Sequence, residues 1–302
     1  MTRTIQHVDD KIRNRKAIQA AGFAAITRSQ RRLICNLQSV RKSAGKTRFA
    51  FTAPKPIGYI SVEIGGEEGA ADEFIPSGAE SCDDIHIVRI RMESPVYPDP
   101  ADFGTDKDGL KKFDEAVSAA VQAAAEPAYS KFYNAYAASV ENMCTTVIDT
   151  GTDLYQLARL ANFGRLEKIP QLAYAQVKRE FAKMVDDAFS KPGHNLIWIH
   201  HEKDRGHMVT DDRGREKWQA SGVYEMDGCL TVMDKVQANI EFWREDLPEE
   251  DPETGLKVRF WAEIVDSRHN PRCMRKQFST LEISFPELAV AIVEGSKIAD
   301  WQ

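Results

Sequence analysis

The sequence has no C-x-x-C pair, no run of eighteen apolar residues, no internal repeat and almost no acid in its first fifty positions. Each absence removes a class of protein. The five cysteines (Cys35, Cys82, Cys144, Cys229 and Cys273) lie far apart, so they spell neither a zinc cluster nor a disulfide framework, and a reducing compartment suits them. MTRTIQHVDDKIRNRK at the N-terminus lacks the apolar stretch of a secretory signal. With nothing long enough to span a bilayer either, the expectation is a soluble cytoplasmic protein with no membrane partner.

What is present suffices for a large folded domain, since 42% of the 302 residues are apolar. The net charge of -6 hides an uneven distribution. Arg13, Arg15, Lys16, Arg28, Arg31, Arg32, Arg41, Lys42, Lys46 and Arg48 are opposed over the first fifty positions only by Asp9 and Asp10, whereas residues 63 to 115 are mostly acidic. Such local fields matter more to a polyanion than the total does.

Periodicity divides the chain. Residues 8 to 28 read as a basic amphipathic helix within an N-terminal extension, 1–32, ahead of a domain over 33–302. "RRLICNL" has the unbroken apolar character of a buried strand, and "SVRKSAGKTRFAFTA" passes from loop to helix, stopped by Pro54. "PIGYISVEI", the half-exposed "DIHIVRIRM", "TTVID", "NLIWIHH" and "LKVRFWAEIVDS" are further strands, and "GCLTVMDKVQANIEFWRE" is strand-like. Helices are expected from about 109 to 141, after "TTVID", over "AYAQVKREFAKMVDDAFS" and over "FPELAVAIVEGSK". Residues 64 to 84, 94 to 109 and 201 to 221 read as loops. Repeated strand-helix alternation with apolar central strands predicts an α/β fold, a mainly parallel sheet with helices on both faces.

Chemistry concentrates at Gly45-Lys46-Thr47, which lies between a buried strand and a helix, where free N–H groups and the helix dipole favour an anion. Lysine brings a point charge to terminal phosphates, and the threonine hydroxyl can ligate magnesium. The full spacing G-x-x-x-x-G-K-[ST] would put its first glycine at position 40, which is Val40. Ser39 and Ser43 are small enough for a tight loop. Three later features fall where a nucleotide-hydrolysing sheet needs them. Asp149 ends "TTVID", where a carboxylate can hold magnesium through water. Glu63 ends the strand after the loop's helix, where it can activate a water. His200-His201 closes "NLIWI", where either can contact a terminal phosphate.

In that order, "SAGKTRFAFTAPKPIGYISVEIG", "TTVIDTGTDLYQLAR", "YAQVKREFAKMV" and "NLIWIHHEKD" resemble the phage-encoded single-domain P-loop ATPases of the RecA-like group, several of which act in recombination with single-stranded DNA. The resemblance covers roughly residues 33 to 270. It implies ATP and Mg2+ as cofactors, held by Ser43, Ala44, Gly45, Lys46, Thr47, Arg48 and Asp149, with Thr47 and Asp149 on the metal side. Glu63 becomes the catalytic carboxylate, and His200 or His201 the γ-phosphate sensor. It also implies that the loop after the sensor strand faces DNA, through Lys203, Arg205, Arg213, Arg215, Lys217 and Trp218. Assembly into a homo-oligomer would let Arg268, Arg272 or Arg275 complete a neighbour's site. A phage origin would place the protein in the host cytoplasm. Two alternatives use the same residues: a degenerate loop in a non-catalytic DNA- or protein-binding module, and a nucleotide or small-molecule kinase.

Overall fold

Four short segments of nearly pure apolar sequence form the middle of the sheet. In the computed structural model, which describes residues 31–62, 74–75, 83–167, 169–210 and 216–301, β1 (Ile34–Ser39), β2 (Ile57–Ser61) and β4 (Thr145–Asp149) are buried at every position. β5 (Asn195–Asp204) is buried through His200. Strands covered on both faces have no polar side to show, hence the unbroken runs. The half-exposed β3 (Ile85–Arg89) takes the edge beside β2. β1 to β5 are mutually parallel wherever they pair, and β9 (Ala238–Asp246) adds in parallel on the far side of β1. The antiparallel β10 (Val258–Ser267) and β11 (Gln277–Ser279) complete the order β11-β10-β9-β1-β5-β4-β2-β3, with β8 (Tyr224–Asp227) pairing antiparallel to the end of β5. This mainly parallel sheet is the architecture the sequence predicts.

Side chains along β5 alternate between two cores. Ile197 and Ile199 join α1 (Lys46–Phe51) and α6 (Phe285–Ile292), whereas Leu196 and Trp198 join α2 (Lys107–Asn142), α3 (Gly151–Phe163) and α4 (Tyr174–Ser190). Helices therefore cover both faces. Six residues are too few for a helix to persist alone, so α1 depends on packing. Its Phe49 meets Phe242 and Phe285 at ring separations of 5.5 and 5.9 Å, and each fully buried phenylalanine contributes about 1.5–3 kcal/mol. That packing fixes the turn ahead of Lys46 against the sheet.

Two expectations need correction. The described residues of 201 to 221 are largely strand: β5 runs on to Asp204, and β6 (His207–Thr210) and β7 (Glu216–Gln219) form a separate two-stranded sheet, the hairpin strands. "GCLTVMDK" is not strand but contains a short helix, α5 (Leu230–Lys235), ahead of β9. The helix expected over 8 to 28, and Glu63, Arg213 and Arg215, lie outside the described residues. Among the described residues no helix is long and apolar enough to cross a membrane.

Candidate active site

The parallel strands carry their C-terminal ends to one edge of the sheet, and the Gly-Lys-Thr turn leaves β1 there. The missing first glycine has a backbone explanation. Left-handed conformation occurs at Ser43 (φ 58°) and Gly45 (φ 94°), and not at Val40. Position 45 favours glycine because of that φ, while the space beside it is ordinary: a Cβ there would meet the Phe260 ring at 3.5 Å. At position 40 the loop makes no such demand, and valine stands there 42% exposed.

Lys46 is buried, and its ammonium donates to Ser39 Oγ at the end of β1. Ser39 Oγ in turn donates to Arg41 O at 2.8 Å, tying the two ends of the loop. Thr47 Oγ1 donates to Asp149 Oδ2 at 3.0 Å, and the Tyr59 hydroxyl donates to the same oxygen. A threonine hydroxyl whose proton lies toward a carboxylate turns its lone pairs elsewhere, and a hydroxyl beside a carboxylate is the hard-oxygen donor set that magnesium takes. Asp149 is not the cap of the following helix. Thr150 does that work, accepting from Asp153 N at 3.0 Å, which leaves Asp149 facing the crevice.

The two histidines at the end of β5 have different surroundings. His200 has no exposure, holds Asn36 Oδ1 of β1 at 2.6 Å, and is wedged between glycines: a Cβ on Gly151 would lie 2.3 Å from its Nε2, and one on Gly228 would lie 2.7 Å from its Cδ2. Burial, with lesser contributions from His201 and Lys46, pushes its imidazole down to about 3, so it is neutral. His201 is half-buried. It lines an open groove of about 600 Å³ with Lys42, Val62, Arg91, Met92 and Leu157, and its N–H donates to Thr152 Oγ1 at 3.0 Å. Thr152 Oγ1 donates to Asp227 O, the β8 residue opposite His201.

Beyond α1 a second cavity, about 570 Å³, is lined by Arg48, Thr52, Phe74, Leu256, Leu281 and Ile283. Arg48 and Ala44 thus take different places: the arginine faces a cavity, and the alanine is buried under the loop. The Arg41 side chain forms a surface pair with Asp246 at 3.6 Å.

Away from the loop, the proposed DNA side chains are divided. Lys203 and Arg205 pair with Asp227 and Glu225 of β8, each at 3.0 Å, and such exposed pairs contribute little and exchange readily. Trp218, on β7, is 60% exposed opposite Met208, and Lys217 precedes it. Asp204 clasps the base of the hairpin, accepting N–H groups from Gly206 and Ser221, each at 2.7 Å, and Gly222 at 2.9 Å. Of the late cations, Arg275 is bound within its own chain to Glu263 at 2.8 Å. Arg268 and Arg272 are exposed and, among the described residues, have no side-chain partner. They lie past the end of β10 that adjoins Ala238, at the opposite edge of the sheet from Lys46. Sequence reasoning missed Tyr59 and Asp204, and read Ser39 as a small loop residue rather than as the partner of Lys46. The signal for Tyr59 was a phenol in a wholly buried strand, since a buried hydroxyl requires a partner.

No family model matches the chain, and no curated protein matches it. Among solved structures it is similar to a RadB recombinase, with 12% identity over 82% of this chain and 86% of that one, at a TM-score of 0.39, a likeness too loose to bear on function.

Proposed function

We propose that this chain is a magnesium-dependent ATPase whose nucleotide state governs self-assembly and binding to single-stranded DNA in phage recombination or replication. The observation that carries this reading is the meeting of Thr47 and Asp149, 102 residues apart in sequence, beside a buried lysine whose ammonium bonds the end of β1. Lys46 offers fixed charge to the terminal phosphates, and partial exclusion of water strengthens it. Magnesium, when bound, neutralises phosphate charge as the terminal group transfers. Thr47 would hold it directly and Asp149 through water. Glu63 orients and deprotonates the attacking water. His201, on the groove, contacts the γ-phosphate and passes its presence through Thr152 to β8 and the hairpin base. His200 is a neutral brace between β5 and β1. Trp218 stacks on an unpaired base while Lys203, Arg205, Arg213, Arg215 and Lys217 meet phosphates, and Arg268 or Arg272 reaches an adjoining subunit's site.

The test is ATP hydrolysis with and without single-stranded DNA. Wild type is expected to hydrolyse ATP faster with DNA, and Lys46→Ala to lose at least about a hundredfold, the scale of removing a preorganised charge. Unchanged hydrolysis in Lys46→Ala defeats the proposal, and so does a wild type that binds or hydrolyses no ATP, which leaves a non-catalytic binding module. A second reading, transfer to a small acceptor, rests on the groove beside Lys42 and His201, which is roomy enough for one. A phosphorylated product in a screen of nucleoside monophosphates would establish it in place of hydrolysis.

A further inference from the structure

Asp149 is held by more than the phosphate-loop threonine. Tyr59 of β2 is buried, and its hydroxyl donates to Asp149 Oδ2, the oxygen that Thr47 reaches from α1. The torsion that turns an aspartate carboxylate is a broad one with no steep wells, so hydrogen bonds rather than rotamer preference set its orientation. Thr47 and Tyr59, from two different elements, hold that one oxygen from two directions. The tyrosine ring is itself held: it lies 5.0 Å from the ring of Phe51 on α1, and Phe51 lies 5.7 Å from Phe74, in the wall of the cavity beside α1.

We infer that Tyr59 is a positioning residue for the metal side of the site: its hydroxyl sets the rotation of the Asp149 carboxylate, and its ring ties that carboxylate to the aromatic wall of the cavity next to Arg48. It touches neither nucleotide nor metal. The inference rests on the ATPase reading for the role of Asp149. A carboxylate that loses the tyrosine donor turns, and the magnesium-bound water it should meet is then held less well.

Binding of a fluorescent non-hydrolysable ATP analogue, titrated with Mg2+, separates this role from a merely structural one. In Tyr59→Phe the half-saturating Mg2+ concentration is expected to rise about tenfold or more, the scale of one hydrogen bond to a charged group, while affinity for the metal-free analogue stays unchanged. Phe51→Leu keeps the hydroxyl but loosens its support, and should raise half-saturating Mg2+ about twofold by the same reasoning. A folded Tyr59→Phe with wild-type Mg2+ dependence overturns the inference, and so does an equal loss of metal-free and metal-loaded binding. Should Tyr59→Phe fail to fold, the Phe51→Leu titration decides: a rise supports the role and no change removes it. Wild type that binds the analogue with no dependence on Mg2+ overturns the ATPase reading itself, a different result from a metal-dependent wild type matched by its variant.

Discussion

β5 serves two regions built in opposite ways. Up to His200 it lies between β1 and β4, every residue is covered, and polar groups such as Asn36 and His200 hold each other inside. Past Asp204 the same chain makes β6 and β7, which pair only with each other and are exposed at all but one position. The first region is fixed by packing on both faces, and the second by a few hydrogen bonds around Asp204. Elements with little buried apolar contact open at lower free energy than core strands. A phosphate site needs the first kind of support. In the ATPase proposed above, a surface that closes on a flexible polymer is served by the second, and His201, with Glu202, Lys203 and Asp204 following, runs from one region to the other.

Adding one methyl group in each region should give the sharpest contrast. Gly151→Ala puts a Cβ 2.3 Å from the His200 ring, which has nowhere to go, and should destabilise the protein by about 3 kcal/mol in urea denaturation. A loss under 1 kcal/mol would mean the His200 pocket is far softer than its geometry implies. Next in size is the pH response of the buried region. Unfolded His200 takes up a proton near its ordinary 6.5 but the folded form only near 3, so between those values the unfolded chain binds more protons and stability falls as pH is lowered. Glu202, held up to about 7 chiefly by burial and then by Glu241, acts in the opposite sense between 4.5 and 7. Comparing wild type with His200→Gln isolates the histidine: below pH 6.5 wild type should lose stability faster, by up to about 1.4 kcal/mol per pH unit, and parallel curves would show that His200 is already protonated or that its burial is wrong.

The hairpin should respond in binding rather than in stability. Trp218→Ala is expected to leave the denaturation midpoint within about 0.5 kcal/mol and to weaken single-stranded DNA binding about tenfold. Unaltered DNA affinity would take the hairpin out of the interface. Smallest of all, Gly222→Ala, beside the hairpin base, meets no atom within 4 Å and carries only the strain of its φ of 71°, about 1 kcal/mol. A larger loss there would show that the hairpin is packed against something after all.

The sheet was legible because its central strands are apolar without interruption and its helices repeat at helical spacing. Gly45, Lys46, Thr47 and Asp149 were legible because local sequence, a turn glycine before a helix and an acid ending a strand, announces them. Val40 misled because the familiar spacing asks for glycine at a place where this backbone is not left-handed. The hairpin was invisible for a different reason: strands exposed on both faces have no buried side to impose an alternation, so "HMVT" and "EKWQ" look like loop. Tyr59 finds Asp149 across 90 residues, and no local pattern carries a contact of that range. The same holds for choosing between His200 and His201, which are adjacent in sequence, one buried against Asn36 and the other lining the groove.

A crystal structure of the chain with Mg2+ and a non-hydrolysable ATP analogue tests the central claim most directly. The account predicts the phosphates inside the turn of residues 40–45 with the terminal groups against Lys46 Nζ, the metal on Thr47 Oγ1, and Asp149 facing it through water. An analogue bound anywhere else, or a turn left empty at saturating nucleotide, would contradict it.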